Sequence, residues 1–154
     1  MKKANKKEIA ETLKNKTNFC DILKENTKNY NGDYSEVIQN MPEIYALLCD
    51  LLRSKNISVK TRNRICATIA YFILPKDVFP EEVFGTKGYL DDLLLSLHIL
   101  KEVEVEYEFE ELLEYWDGEP KLLKKLITED YDELYAKFNY IFKDILEYVG
   151  IKKN

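Results

Sequence analysis

The sequence is short of several residue types. It has 5 Gly and 4 Pro in 154 residues, too few turn formers for a loop-rich β-sandwich. Its three cysteines, Cys20, Cys49 and Cys66, are odd in number, far apart and in no CxxC pair. That spacing excludes a zinc ribbon and argues against a disulfide framework. Cys49 and Cys66 fall in apolar helical runs and are expected to be core thiols, which fits a reducing, cytoplasmic location. The one histidine, His98, sits in Leu-Ser-Leu-His-Ile-Leu. Ser96, two residues away, faces elsewhere on a helix, so no nucleophile–base pair forms there. His98 is expected to be a satisfied core or boundary side chain. There is no P-loop and no dinucleotide-binding glycine fingerprint. The longest mainly apolar run, residues 65–74, is about half of the ~20 residues a membrane-spanning helix needs. No apolar stretch follows the opening Met-Lys-Lys, so no signal peptide is expected.

What is present describes a globular chain. Hydrophobic residues make up 45% and charged residues 33%, a folded rather than a disordered composition. The length suits one domain, residues 1–154, able to bury its own core. The apolar spacing is helical nearly throughout. Val37, Ile38, Met41, Ile44, Tyr45, Leu48, Leu51 and Leu52 recur at three- and four-residue steps. So do Leu90, Leu93, Leu94, Leu97, Leu100 and Val103, and, later, Tyr131, Leu134, Phe138, Phe142, Ile145 and Val149. Asp33 and Ser58 are candidate N-caps. Pro42 and Pro120 are expected to open helices at the first turn, and Gly150 to close the last one. Val103, Val105, Tyr107 and Phe109 alternate with glutamates, which is a strand period. A lone strand would have no partner, so helix is the expectation for residues 102–109. The fold class that follows is all-α, a helical bundle of about six to seven helices.

Charge is unevenly spread over a formal net of −5. Residues 1–30 carry eight Lys against Glu8, Glu11, Asp21 and Glu25, with thin apolar spacing. Residues 53–64 carry Arg53, Lys55, Lys60, Arg62 and Arg64 with no acid. Residues 101–119 carry nine acids and one Lys. Nucleic acid is not an expected partner, because the net charge is acidic and no aromatics interleave with the basic run. An acidic side facing a basic partner, or the basic side of a second copy, is.

Pro75 to Asp92 joins the two most apolar helices, which are expected to pack antiparallel. Pro75 and Pro80 restrict the backbone there. Asp91 and Asp92 fall in the first turn of the next helix, where the macrodipole favours anions. The residues Tyr71-Phe-Ile-Leu-Pro75-Lys-Asp77-Val-Phe-Pro80, then Gly88-Tyr89-Leu-Asp91-Asp92, resemble the signature of the YkvA-like domain family, a domain of unknown function. The likeness covers about residues 63–103 and marks Tyr71, Pro75, Asp77, Pro80, Gly88, Tyr89, Asp91 and Asp92. Two features depart from the pattern: Glu81 follows Pro80 where the family has Asp, and the spacer between the blocks is slightly long. The resemblance implies a small helical domain, sometimes membrane-associated, and no particular activity.

Two roles are open to these acids. Asp77, Glu81, Asp91 and Asp92 are hard oxygen donors suited to Mg²⁺, Mn²⁺ or Ca²⁺. Alternatively, Asp77 caps a turn while Asp91 and Asp92 cap a helix; adjacent helical residues point about 100° apart and do not readily share one ion. No catalytic residue and no cofactor is assigned. The leading reading is a non-enzymatic protein-interaction module. The alternative is a divalent-metal-binding regulator or metal-dependent hydrolase. The second alternative is peripheral membrane attachment through the basic N-terminus.

Overall fold

Local signals set most of the helix ends. The computed structural model describes residues 19–73 and 89–151, so Pro75, Asp77, Pro80, Glu81 and Gly88 lie outside it, as does the start of the basic N-terminal segment. Helix α1 includes residues 19–27. A short α2, Ser35–Gln39, follows. Its N-cap is Tyr34, left-handed at φ 59°, with no side-chain cap; Asp33 therefore does not cap it, contrary to expectation. Helix α3, Met41–Leu51, has Pro42 in its first turn, where a missing N–H costs nothing. Helix α4 is Val59–Ile73. Ser58 caps it: its Oγ accepts the Thr61 N–H at 3.1 Å.

Helix α5, Leu90–Tyr107, is the axis of the molecule. Leu90, Leu93, Leu94, Leu97, Leu100 and Val103 are all buried, and so are Asp91, Asp92, Leu95, Ser96 and Ile99. Its first two turns are thus enclosed on every side, as expected of a central helix. Residues 102–107 continue this helix, so the alternation there is not a strand. Glu108 ends it at φ 71°, ψ 163°, and α6, Phe109–Leu113, starts immediately after.

Pro120 opens α7, Pro120–Lys125. A π-helical turn, Leu126–Asp130, leads without a break into α8, Tyr131–Tyr148. Gly150, at φ 73°, ends α8. The Ile151 N–H reaches Leu146 O at 2.9 Å and the Gly150 N–H reaches Glu147 O at 3.1 Å. This is the Schellman pattern, completed by the buried pair Leu146 and Ile151.

The described residues are helical with no strand among them, and the fold is all-α. Helices α3, α4 and α8 pack around α5. Ile38, Met41, Ile44, Leu48, Ile65, Leu126, Ile127 and Leu134 complete the core, each with no measurable exposure. Cys49 is half-buried and Cys66 is exposed. Cys66 is therefore not a core thiol: α4 turns Ile65, Thr68 and Phe72 inward, and position 66 faces out.

Candidate functional site

Helices α4 and α5 run antiparallel, and polar rungs link them along their length. At the far end Tyr71, fully buried, donates its hydroxyl proton to Asp91 Oδ2 at 2.6 Å. Midway, Arg64 grips Glu102 with two bonds, Nε to Oε2 at 2.9 Å and an NH2 nitrogen to Oε1 at 2.6 Å. At the near end Thr61 Oγ1 donates to Glu106 Oε2 at 3.1 Å, and the Ser58 N–H donates to the Tyr107 hydroxyl at 2.9 Å. These rungs tie residues 20 to 49 positions apart, so the register of the two helices is fixed by specific bonds as well as by packing.

Of the sequence-marked residues, the described ones, Tyr71, Tyr89, Asp91 and Asp92, sit at the Tyr71 end. Asp91 and Asp92 are 1% and 0% exposed. Asp91 Oδ1 accepts the Asp92 N–H at 3.0 Å, so one first-turn donor is satisfied by a neighbouring side chain. Tyr89 is the residue before the helix, and its hydroxyl accepts from Asn26 at 3.3 Å. Two adjacent carboxylates are thus enclosed where the helix dipole favours negative charge. Asp77 and Glu81 lie outside the described residues. Among the described residues no three His, Cys, Asp or Glu side chains gather as a metal set.

A second constellation lies midway along α5, where a cleft of about 410 Å³ opens beside Lys60, Arg64, His98, Lys101, Glu102 and Tyr131. His98 Nδ1 lies 2.9 Å from the Tyr131 hydroxyl and Nε2 lies 3.3 Å from Glu102. Its ring also meets Phe142 edge-on at 4.8 Å. Both ring nitrogens are therefore engaged, as a satisfied boundary histidine requires. Burial acts to raise the Glu102 carboxyl, but the hydrogen bonds and charges of His98 and Arg64 more than offset it, holding Glu102 below the usual carboxylate value. Burial, with the nearby Tyr135, Asp132 and Glu102 adding to it, pushes the Tyr131 phenol up to about 12. The π-helical turn sets Tyr131 in place; Asp130, buried within that turn, pairs with Lys125 at 2.9 Å.

The charge runs serve the fold more than spacing suggested. Arg62 donates to Leu52 O and, at 2.8 Å, to Ser54 O, closing off the carbonyls that follow α3. Glu111 is buried and takes bonds from Ser54 and Asn56. Glu104 pairs with Lys124. Of the nine acids in residues 101–119, Glu102, Glu104, Glu106 and Glu111 are committed to these contacts. Glu108, Glu110, Glu114, Asp117 and Glu119 are exposed.

The last helix contributes two protruding aromatic side chains. Tyr140 and Tyr148 are 68% and 54% exposed. A groove of about 550 Å³ follows another face of α8, lined by Tyr135, Phe142, Leu146 and Ile151 among others and by neither exposed tyrosine.

Comparison with known proteins places this architecture among relatives. Residues 62–97 match the model of a family described as "Protein of unknown function (DUF1232)". That span contains Arg62, Arg64, Tyr71, Asp91 and Asp92, and ends one residue before His98. No solved structure matches the chain. Over 134 residues it is 31% identical to "Uncharacterized protein ORF9" of Methanothermobacter thermautotrophicus, covering 87% of this chain and 91% of that protein. With likeness running through nearly the whole length of both, the chain belongs to the family of that Methanothermobacter protein.

Proposed function

We propose that this protein is a non-enzymatic helical interaction module whose contact face is the outward side of α8. The observation that carries the reading is the exposure of Tyr140 and Tyr148, 68% and 54%, on one helix. Tyrosine is enriched at protein interfaces because its ring buries apolar area while its hydroxyl keeps a partner. The closed pairing of His98, Glu102, Arg64 and Tyr131 supports a structural role for that cluster. The likeness to the YkvA-like domain family agrees with a small helical module and names no chemistry. A cytoplasmic setting suits three cysteines that form no disulfide.

The test is site-specific photo-crosslinking in the native host. A photoreactive phenylalanine analogue replaces Tyr140, and the same analogue at Val105, 81% exposed on α5, serves as control. A discrete protein adduct from position 140 and none from position 105 is the expected result. No adduct at 140, with any protein including a second copy, would overturn the reading.

A second reading keeps the acidic pair as a cation site for Mg²⁺, Mn²⁺ or Ca²⁺. It is favoured by one observation, the enclosure of Asp91 and Asp92 side by side with the Tyr71 hydroxyl on Asp91. Closely spaced carboxylates gain from a counter-ion. Asp77 and Glu81 would be further ligands in this reading. Calorimetric titration with each ion is the measurement. Heat that disappears in Asp91→Asn would support the site, and absence of heat in the natural protein would remove it.

A further inference from the structure

The connection between α1 and α2 holds a reactive pair that neither the packing nor the proposed interaction role uses. Asn31 and Gly32 are adjacent, exposed and outside any helix. An asparagine side-chain amide is an electrophile, and the backbone nitrogen of the next residue can close on it to form a cyclic imide. Closure needs an unshielded nitrogen on the next residue, an N–H that is not hydrogen-bonded, and an amide free to swing. Position 31 meets all of these. Gly32 has no β-carbon to shield its nitrogen. Its N–H donates no hydrogen bond among the described residues, and the Asn31 amide makes none there either.

The other described asparagines do not. Asn31 is the one asparagine in the sequence followed by glycine. Asn29 precedes Tyr30, whose side chain shields the nitrogen and whose N–H is bonded to Thr27 O at 3.1 Å. The Asn40 amide is held by Glu36 O at 2.8 Å and the Asn56 amide by Glu111 at 3.0 Å. Asn26, Asn63 and Asn139 lie inside helices, where the following N–H is part of the helical ladder.

We infer that Asn31 deamidates spontaneously through Gly32. The Gly32 nitrogen loses its proton to water and bonds to Asn31 Cγ, the Cγ–Nδ2 bond breaks, and ammonia leaves. Water then opens the succinimide at either carbonyl. Opening at Cγ gives an ordinary aspartate at position 31. Opening at the backbone carbonyl gives isoaspartate, in which the chain runs on through Cγ. Both products add a negative charge. Isoaspartate also lengthens the backbone by one carbon, between Tyr30, whose carbonyl accepts from the Gln39 side chain, and Tyr34, the left-handed start of α2. The α1–α2 connection is thus a slow chemical timer that needs no enzyme to run.

Incubation of the full folded chain in warm, mildly alkaline buffer, followed by digestion and mass spectrometry, tests this. The peptide holding position 31 is expected to gain about 1 Da, with fragment ions placing the gain on Asn31 and leaving Asn29 unchanged. An isoaspartate-specific carboxyl methyltransferase with a labelled methyl donor should mark the same peptide. Asn31→Gln is expected to slow both signals at least about tenfold, because its larger ring closes far less readily. Gly32→Ala is the poorer variant, since a β-carbon there would stand 2.6 Å from the Tyr30 hydroxyl oxygen. A synthetic peptide of residues 27–35 gives the rate without the fold, and the folded chain is expected to react within about tenfold of it. A folded chain slower than that would mean that the connection protects Asn31, and would overturn the inference. A mass gain without isoaspartate would overturn the route through Gly32, and a gain at another asparagine would overturn the site.

Discussion

Tyr71 and Asp91 stand twenty residues apart in sequence and meet through a 2.6 Å hydrogen bond where neither has more than 1% exposure. The bond fixes the far end of α4 against the first turn of α5. In so low-dielectric a setting a hydrogen bond is electrostatically stronger than in water. Both residues belong to the span shared with the DUF1232 model, so the rung is part of what that span encodes.

Tyr71→Phe deletes the hydroxyl and keeps the ring. The ring contact with Tyr148, 5.9 Å between centroids, stays. The Asp91 carboxylate loses a buried donor, and a loss of about 1–3 kcal/mol is expected. Urea denaturation should show the midpoint fall with no change in slope, since the exposed area on unfolding is unaltered.

The Arg64–Glu102 rung should give stability a measurable acid dependence. Its side chains are 12% and 29% exposed, so solvent screens it only in part. Arg64→Met is expected to cost about 2 kcal/mol by leaving Glu102 without its bidentate partner. The folded Glu102 value is lowered from an ordinary 4.5. The unfolded chain therefore takes up the proton first as pH falls. The contribution is fully present above 4.5 and is lost as pH drops through the lowered folded value. Thermal midpoints measured across acid pH should fall less steeply in Glu102→Gln than in the natural protein.

Ser58→Ala should remove the cap of α4 at a cost of about 1 kcal/mol, and Ser58→Gly should cost only a few tenths. The comparison separates the hydroxyl's bond to the Thr61 N–H from any change in backbone preference. Chemical denaturation of the two variants side by side checks it.

Glu108→Gly should do the reverse and stabilise. At φ 71° and ψ 163° Glu108 occupies backbone space that is essentially glycine's own, which stores on the order of 1–3 kcal/mol. Glycine relieves that strain and adds some unfolded-state entropy against it. The net expectation is a gain of about 1 kcal/mol, read as a raised thermal midpoint.

Periodicity exposed the axis of this fold. Leu90, Leu93, Leu94, Leu97, Leu100 and Val103 were marked by spacing alone, because burial on a helix repeats with the turn. Ser58, Pro42, Pro120 and Gly150 were legible for the same reason: capping is decided within four residues. Arg62 and Arg64 were not. They stand in a basic run, yet one bonds the carbonyls after α3 and the other spans 38 residues to Glu102. No local pattern reports where a long side chain ends up after the chain has folded back. Asp33 and Cys66 failed through one-residue uncertainty, since Tyr34 took the left-handed position and α4 turned position 66 outward. At the candidate site Asp91, Asp92, Tyr71 and Tyr89 were picked out by motif. Their enclosure, and the protruding tyrosines of α8, required the packed structure.

The π-helical turn at Leu126–Asp130 works as slack ahead of everything that follows it. A π turn carries one residue more than an α turn would over the same stretch. Deleting a single residue there would let the helix run on as a regular α-helix with α8 still turning the same face to α5. Deleting one at Glu133 instead, beyond the wide turn, would rotate the rest of α8 by about 100°. Phe142 would leave His98, Leu134 and Ile145 would swing out of the core, and the tyrosines now facing solvent would point elsewhere. A one-residue change is thus absorbed on one side of Asp130 and is a change of address for a whole helix on the other.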